Sequence, residues 1–373
     1  MNFPLLKIAI VLSGLTFLGC STERVRPQKT VLHPVVSKVA TSRMNEGARK
    51  INRMTPIFYG KNVIVGNGID GISSVNSWGR TQWQTVITNG VEASSVLQGS
   101  TLYVPANDGF IYKLNADDGK IIGQVRTGSE NLGELSLSGD GKTLYAQNSL
   151  GSVFSINVDT LKINWTFSRS DSQPSTIRGT SKVTWHKNRV YFGISDGTLL
   201  ALDASAGQVI WEKSLNRNKK FRDIDASPLI EGDKIYVSAY DEMVYCLDLI
   251  GQILWQANYG GYGAPSLFEN LLIVPSNQSQ VVALDKSTGN LKWSFKTKSI
   301  PTEVKAIKGY GVFGDSAGPL YLLDLRQGKE ISNFEPGRGI FSSPAVSADH
   351  DLVAFVSGEA VLYVTQIRRE IKD

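Results

Sequence analysis

The sequence predicts an all-β chain folded as an eight-bladed β-propeller with four antiparallel strands per blade. Three observations predict it. A single hairpin unit recurs along the chain with a drifting period of about 40 residues, the length of a propeller blade. The apolar runs are short and bounded by turn residues, with 36 Gly and 13 Pro among 373 residues. Half of the copies of the unit end on a Gly turn followed by a strand centred on Trp.

The best copies fix the unit. Arg189-Val190-Tyr191-Phe192-Gly193 leads to Leu199-Leu200-Ala201-Leu202-Asp203, then Gly207 and Ile210-Trp211. The same order runs from Lys234 to Trp255, from Leu271 to Trp293, and from Thr143 through Asn157 to Trp165. Weaker copies begin at Asn62, Leu102, Gly311 and Leu352, making eight. A further strand precedes each trio and often carries Pro at its start, as in Thr55-Pro56-Ile57, Ala226-Ser227-Pro228-Leu229 and Ser343-Pro344-Ala345. Pro is tolerated there because no ladder bond is required of it. The Trp residues, recurring at one place in the unit, are packing residues. Cys246 sits in the apolar strand Met243-Val244-Tyr245-Cys246-Leu247 and is assigned to the core.

The last unit, from about Phe341, has three strands and no fourth. Val31-Leu32-His33-Pro34-Val35-Val36-Ser37-Lys38-Val39 is a β-rich segment ahead of the first unit. An N-terminal strand within 31–40 is therefore expected to close the ring and to cover an edge that would otherwise invite aggregation. Copies of the unit follow one another from about residue 55 to 366 with no second domain between them, so residues 31–373 are read as one domain.

Residues 1–19 read as a signal peptide. Lys7 precedes the apolar run Ile8 to Phe17, which is too short to span a bilayer comfortably. Leu18-Gly19-Cys20 at its end resembles the lipobox of bacterial lipoproteins, with Phe17 a departure where Leu is usual. The resemblance implies cleavage before Cys20, acylation of Cys20 and a lipidated tether over 20–30. Ser21, rather than Asp, implies the outer membrane, with the protein facing the periplasm. Several acyl chains on one residue give stable anchoring where a single chain does not.

Net charge is +5, but the 39 basic residues are dispersed, without a basic tail of the nucleic-acid-binding kind. His33, His186 and His350 fall in different repeats, and there is no His-Glu-x-x-His, Cys-x-x-Cys, Gly-x-Ser-x-Gly or Walker loop. Blades of this kind resemble those of quinoprotein dehydrogenases, but the chain lacks the adjacent cysteines of that class. The expectation is a protein without catalytic activity, metal or cofactor. A quinone-dependent periplasmic dehydrogenase is the alternative, distinguished by a bound quinone absorbing in the visible; a propeller for another envelope partner is a second.

Two segments break the repeat before successive blades: 174–181, with Ile177-Arg178-Gly179, and 221–228, with Phe221-Arg222-Asp223-Ile224-Asp225. A propeller brings them to one face. If the second is extended, Asp223 and Asp225 point to one side and Ile224 to the other. A cation at Arg178 beside two carboxylates suits partner recognition; a purely structural account has Arg178 pair with them to hold the loops.

At these segments the chain resembles the BamB family, lipoproteins of the outer-membrane β-barrel assembly machinery. Ile177-Arg178-Gly179, Asp223-Ile224-Asp225-Ala226-Ser227-Pro228, Leu247-Asp248-Leu249 and Gln252-Ile253-Leu254-Trp255 carry the resemblance. Ser175 departs from a larger apolar residue. The resemblance implies a scaffold assisting insertion of β-barrel proteins. Ile177, Arg178, Asp223 and Asp225 would dock on the periplasmic POTRA repeats of a BamA-like barrel subunit. Strand edges open to unfolded outer-membrane proteins would be a further feature.

Overall fold

The structure, a computed structural model, describes residues 28–39, 53–169, 180–215, 223–349 and 351–371. Their strands form eight four-stranded antiparallel sheets, as expected. Blade 1 shows the plan: β1 (Gln28–Val39) is set aside, and β2 (Ile57–Tyr59), β3 (Asn62–Asn67), β4 (Gly71–Asn76) and β5 (Thr81–Val86) follow in order from the inside out. Strands β6 to β29 repeat it six times. The inner strands of successive blades touch one another around the centre.

Blade 8 has β30 (Ala345–Val346), β31 (Leu352–Val356) and β32 (Val361–Ile371), and its outer strand is β1. Pairing runs from Gln28 opposite Ile371 to Val39 opposite Val361. The closing strand thus starts at Gln28, three residues before the expected Val31, because β32 continues beyond its blade and offers Gln28, Lys29 and Thr30 partners.

The core is divided by the same plan. Every β-strand turns alternate side chains to opposite faces, so each middle strand serves two neighbours. Tyr191 packs toward blade 5 with Ile235 and Val237, while Val190 and Phe192 pack toward blade 3 with Tyr145 and Val153. There are eight such clusters, one at each junction between blades. Cys246 is fully buried in one of them, and burial pushes its thiol up to about 11.

The Trp residues lock blades together. Trp165, Trp211, Trp255 and Trp293 each donate Nε1–H to a carbonyl of the next blade: Ala204, Leu249, Lys286 and Leu325, at 3.0–3.3 Å. Trp83 does the same to Ala116 at 2.9 Å. Each ring lies on a turn Gly of that next blade; a Cβ on Gly207 would sit 2.6 Å from the Trp165 ring. Between blades 2 and 3 the pieces are exchanged. Gly123 stands at the Trp position and Leu161, at φ 54°, stands at the Gly position and fills the space. Lys113 Nζ donates to the Val158 carbonyl in place of the indole, at 2.9 Å.

Candidate functional site

Each inner strand is entered from the same face of the ring, here termed the connection face. The residue two places before the strand alternates strictly with its neighbours. Thr55, Ser94, Glu134, Lys182, Ser227, Ala264, Glu303 and Ser343 are half-buried, and the residues on either side of each are buried. This period of two turns one set into the blades and the other toward the central channel. The channel set is linked from blade 1 to blade 4: Thr55 N–H donates to Ser94 Oγ (3.1 Å), Ser94 Oγ to Glu134 Oε1 (2.9 Å), and Lys182 Nζ lies 3.9 Å from Glu134. Lys305 pairs with Glu303 at 2.6 Å. Burial raises the Glu303 carboxyl and Glu134 adds to it, while Lys305 and Lys182 oppose it. Glu303 is on blade 7 and Glu134 on blade 3, so that influence crosses the channel.

Two residues further out on the same parity stand Arg53 of blade 1, Asp225 of blade 5 and Tyr262 of blade 6. Here lies the part of the expected site that the structure describes. The segment 223–225 is not a strand, but the Ile224 N–H donates to the Ile194 carbonyl and the Tyr240 N–H donates to the Asp223 carbonyl, so the peptide joining Asp223 to Ile224 is held on both sides. Ile224 is buried in the core between blades 4 and 5. Gly193 is required beneath it, since a Cβ there would come within 2.3 Å of Ile224 Cγ2. Asp225 is half-buried and Asp223 is 6% exposed. The expected split, with Ile224 on one side, is thus seen for Asp225, whereas Asp223 is itself enclosed.

The electrostatics single out Asp225. Burial, and then the negative charge of Asp223, push its carboxyl up to about 7, against the pull of Arg53. Arg53 also opposes the rise that burial gives the Tyr262 phenol. Arg53, on the blade opposite, is the charged residue at this level that the sequence reading missed. The signal was present: aligning Thr55-Pro56 with Ser227-Pro228 puts Arg53 level with Asp225. Ile177, Arg178 and Cys20 lie outside the described residues.

Among the described residues, no group of three or more His, Cys, Asp or Glu is placed to hold a metal ion. The arrangement places a destabilised carboxylate within the electrostatic influence of an arginine on the opposite blade, and such a carboxylate gains from a nearby cation. The profile of the family described as outer membrane protein assembly factor BamB matches residues 70–295 and 250–370. The chain belongs to the BamB family. A BamB of Shewanella oneidensis is 27% identical over 270 residues, covering 69% of this chain and 67% of that protein. The crystal structure of BamB from Moraxella catarrhalis superposes with a TM-score of 0.74 at 20% identity, covering 90% of this chain and 99% of the other. The quinohemoprotein alcohol dehydrogenase of Comamonas testosteroni reaches 0.72 at 14% identity, covering 92% and 78%, a likeness of fold alone. BamB membership thus accounts for the ring.

Proposed function

We propose that this protein is a non-catalytic, lipid-anchored scaffold of outer-membrane protein assembly. It is acylated at Cys20, faces the periplasm, and docks on POTRA repeats of a BamA-like barrel subunit through 177–178 and 223–225. Membership of the BamB family carries the assembly role. Asp225 supports the docking surface. A carboxylate held where burial and a like charge both oppose ionisation gains most from an incoming cation. An Arg or Lys of the partner would supply it. Outer strands such as β5 leave one backbone edge open, which supports a secondary role in receiving unfolded chains by strand addition.

The test is co-purification with the barrel subunit, together with thermal unfolding of the same preparations. Removing one partner of a desolvated charge pair costs about 2–5 kcal/mol, more than tenfold in affinity at about 1.4 kcal/mol per decade. Arg178→Ala and Asp225→Ala should lose the partner with the ring still folded. Full retention of the partner by a destabilised Arg178→Ala protein would assign these residues to holding loops instead.

A further inference from the structure

β32 outruns its blade. β31 pairs with it only as far as Gln366, whereas β1 pairs on to Ile371. Residues 28–32 and 367–371 therefore form a two-stranded ribbon. β32 runs away from the connection face, so the ribbon and the start of β1 lie at the opposite, far face. One side of the ribbon packs over blade 7, where Leu32 and Ile367 join Ile307 and Val312, and Leu32 N–H donates to Ser332 Oγ at 3.3 Å. Arg368 is on the other side, by the parity that puts Leu362 and Val364 against Val63 and Val75 of blade 1.

The turn that follows Val75 is the second part. Trp78 on it is 81% exposed, more than any other large apolar side chain among the described residues. The turn is built to hold it out: Asn76 Oδ1 accepts the N–H groups of Trp78 (3.0 Å) and Arg80 (2.9 Å). The equivalent turn is polar in blades 2 and 6, at Asp117-Asp118 and Ser287-Thr288, while blade 5 exposes Ile250 there; Trp78 is the aromatic among them. Lys29, Arg80, Arg368 and Arg369 are exposed at this end. Glu370 stands opposite Lys29 in the ladder, and Asp351, bordering the ribbon, is paired with Lys308. An exposed Trp beside surplus cations matches the two chemical layers of a phospholipid interface, where amphipathic rings sit at headgroup level and cations meet phosphate. Seven residues separate Cys20 from Gln28. At about 3.3–3.6 Å per residue, that tether keeps the ribbon within about 30 Å of an anchored Cys20.

We infer that Trp78 with Lys29, Arg80, Arg368 and Arg369 forms a membrane-docking surface for phospholipid headgroups, which orients the ring with its connection face away from the bilayer. This rests on acylation of Cys20. The test reconstitutes acylated protein in vesicles of phosphatidylethanolamine and phosphatidylglycerol with brominated acyl chains. Flotation reads the anchor and Trp quenching reads the surface. Wild type should show a quenched component that Trp78→Phe lacks. Reversing Lys29, Arg368 and Arg369 to Glu should remove that component while flotation and melting persist. Anchored wild type quenched no more than Trp78→Phe would overturn the surface. If Cys20 takes up no palmitate analogue, the anchor fails on its own. Unacylated protein is then mixed with the same vesicles: binding to them but not to neutral ones, weakened about tenfold or more by the reversals, upholds the surface, and equal binding or none overturns it.

Discussion

At the scale of single residues, Asp225 combines a folding cost with a binding opportunity. Its folded pKa of about 7 lies above the ordinary Asp value of about 3.9, so the native state binds a proton that the unfolded state has released. The stability contributed by that proton is present at low pH and is lost as pH rises toward 7. Asp225→Asn keeps a neutral side chain at every pH. The rise in melting temperature it gives over wild type should therefore be larger at pH 8 than at pH 5, and an equal shift at both would remove the strain. The same variant should weaken docking, separating the two roles. Asp225 was readable as a charged break in the repeat. The influence of Arg53 on it was not, because the two residues are more than 170 apart in sequence and act on one another only when the ring is closed. The enclosure of Asp223 was also hidden, since the alternation that fixed Ile224 says nothing about what covers its neighbours.

At the scale of elements, the junctions between blades are variations on one joint. The exchange of Trp and Gly for Gly123 and Leu161 fills the joint between blades 2 and 3 from the opposite side. A Cβ at Gly123 would come within 2.7 Å of Leu161 Cδ1, so Gly123→Trp alone should destabilise strongly. Leu161→Gly alone should cost less than truncation of a fully buried Leu, because Leu161 is partly buried and Gly relieves its positive φ. The double variant should be more stable than Gly123→Trp, a favourable coupling in urea unfolding of the four proteins; strict additivity would show that the two do not share the space. The strands were legible because apolar alternation and turn residues recur. The joint was not, since pairing a Trp with a Gly of the next unit requires knowing that the units lie face to face. In blades 1–7 the register also slips near the start of the outer strand, as between Ser74 and Val75 and between Ala201 and Leu202. Such bulges twist an edge and discourage pairing, so strand addition is expected along the later part of each outer strand.

At the scale of the whole molecule, the repeat number and the need for a borrowed strand could be read from the sequence. The first three residues of β1 could not, because Gln28-Lys29-Thr30 has no apolar pattern and pairs only where β32 overruns the blade. Deleting 28–39 should lower the melting temperature and promote aggregation by baring β32; an unchanged melting curve would show that the seam does not hold the ring. That seam also sets an order of events during synthesis. β1 is made first, and roughly 340 residues of chain must follow before Ile371 can face Gln28, a separation that makes such pairing slow among folding contacts. Blades 1–7 contain all their own strands and can stack as they emerge, whereas the eighth waits for both termini. For that interval a chain acylated at Cys20 would already be held at the membrane just ahead of the strand it still has to fold, and completion of the ring would be timed by the arrival of β32.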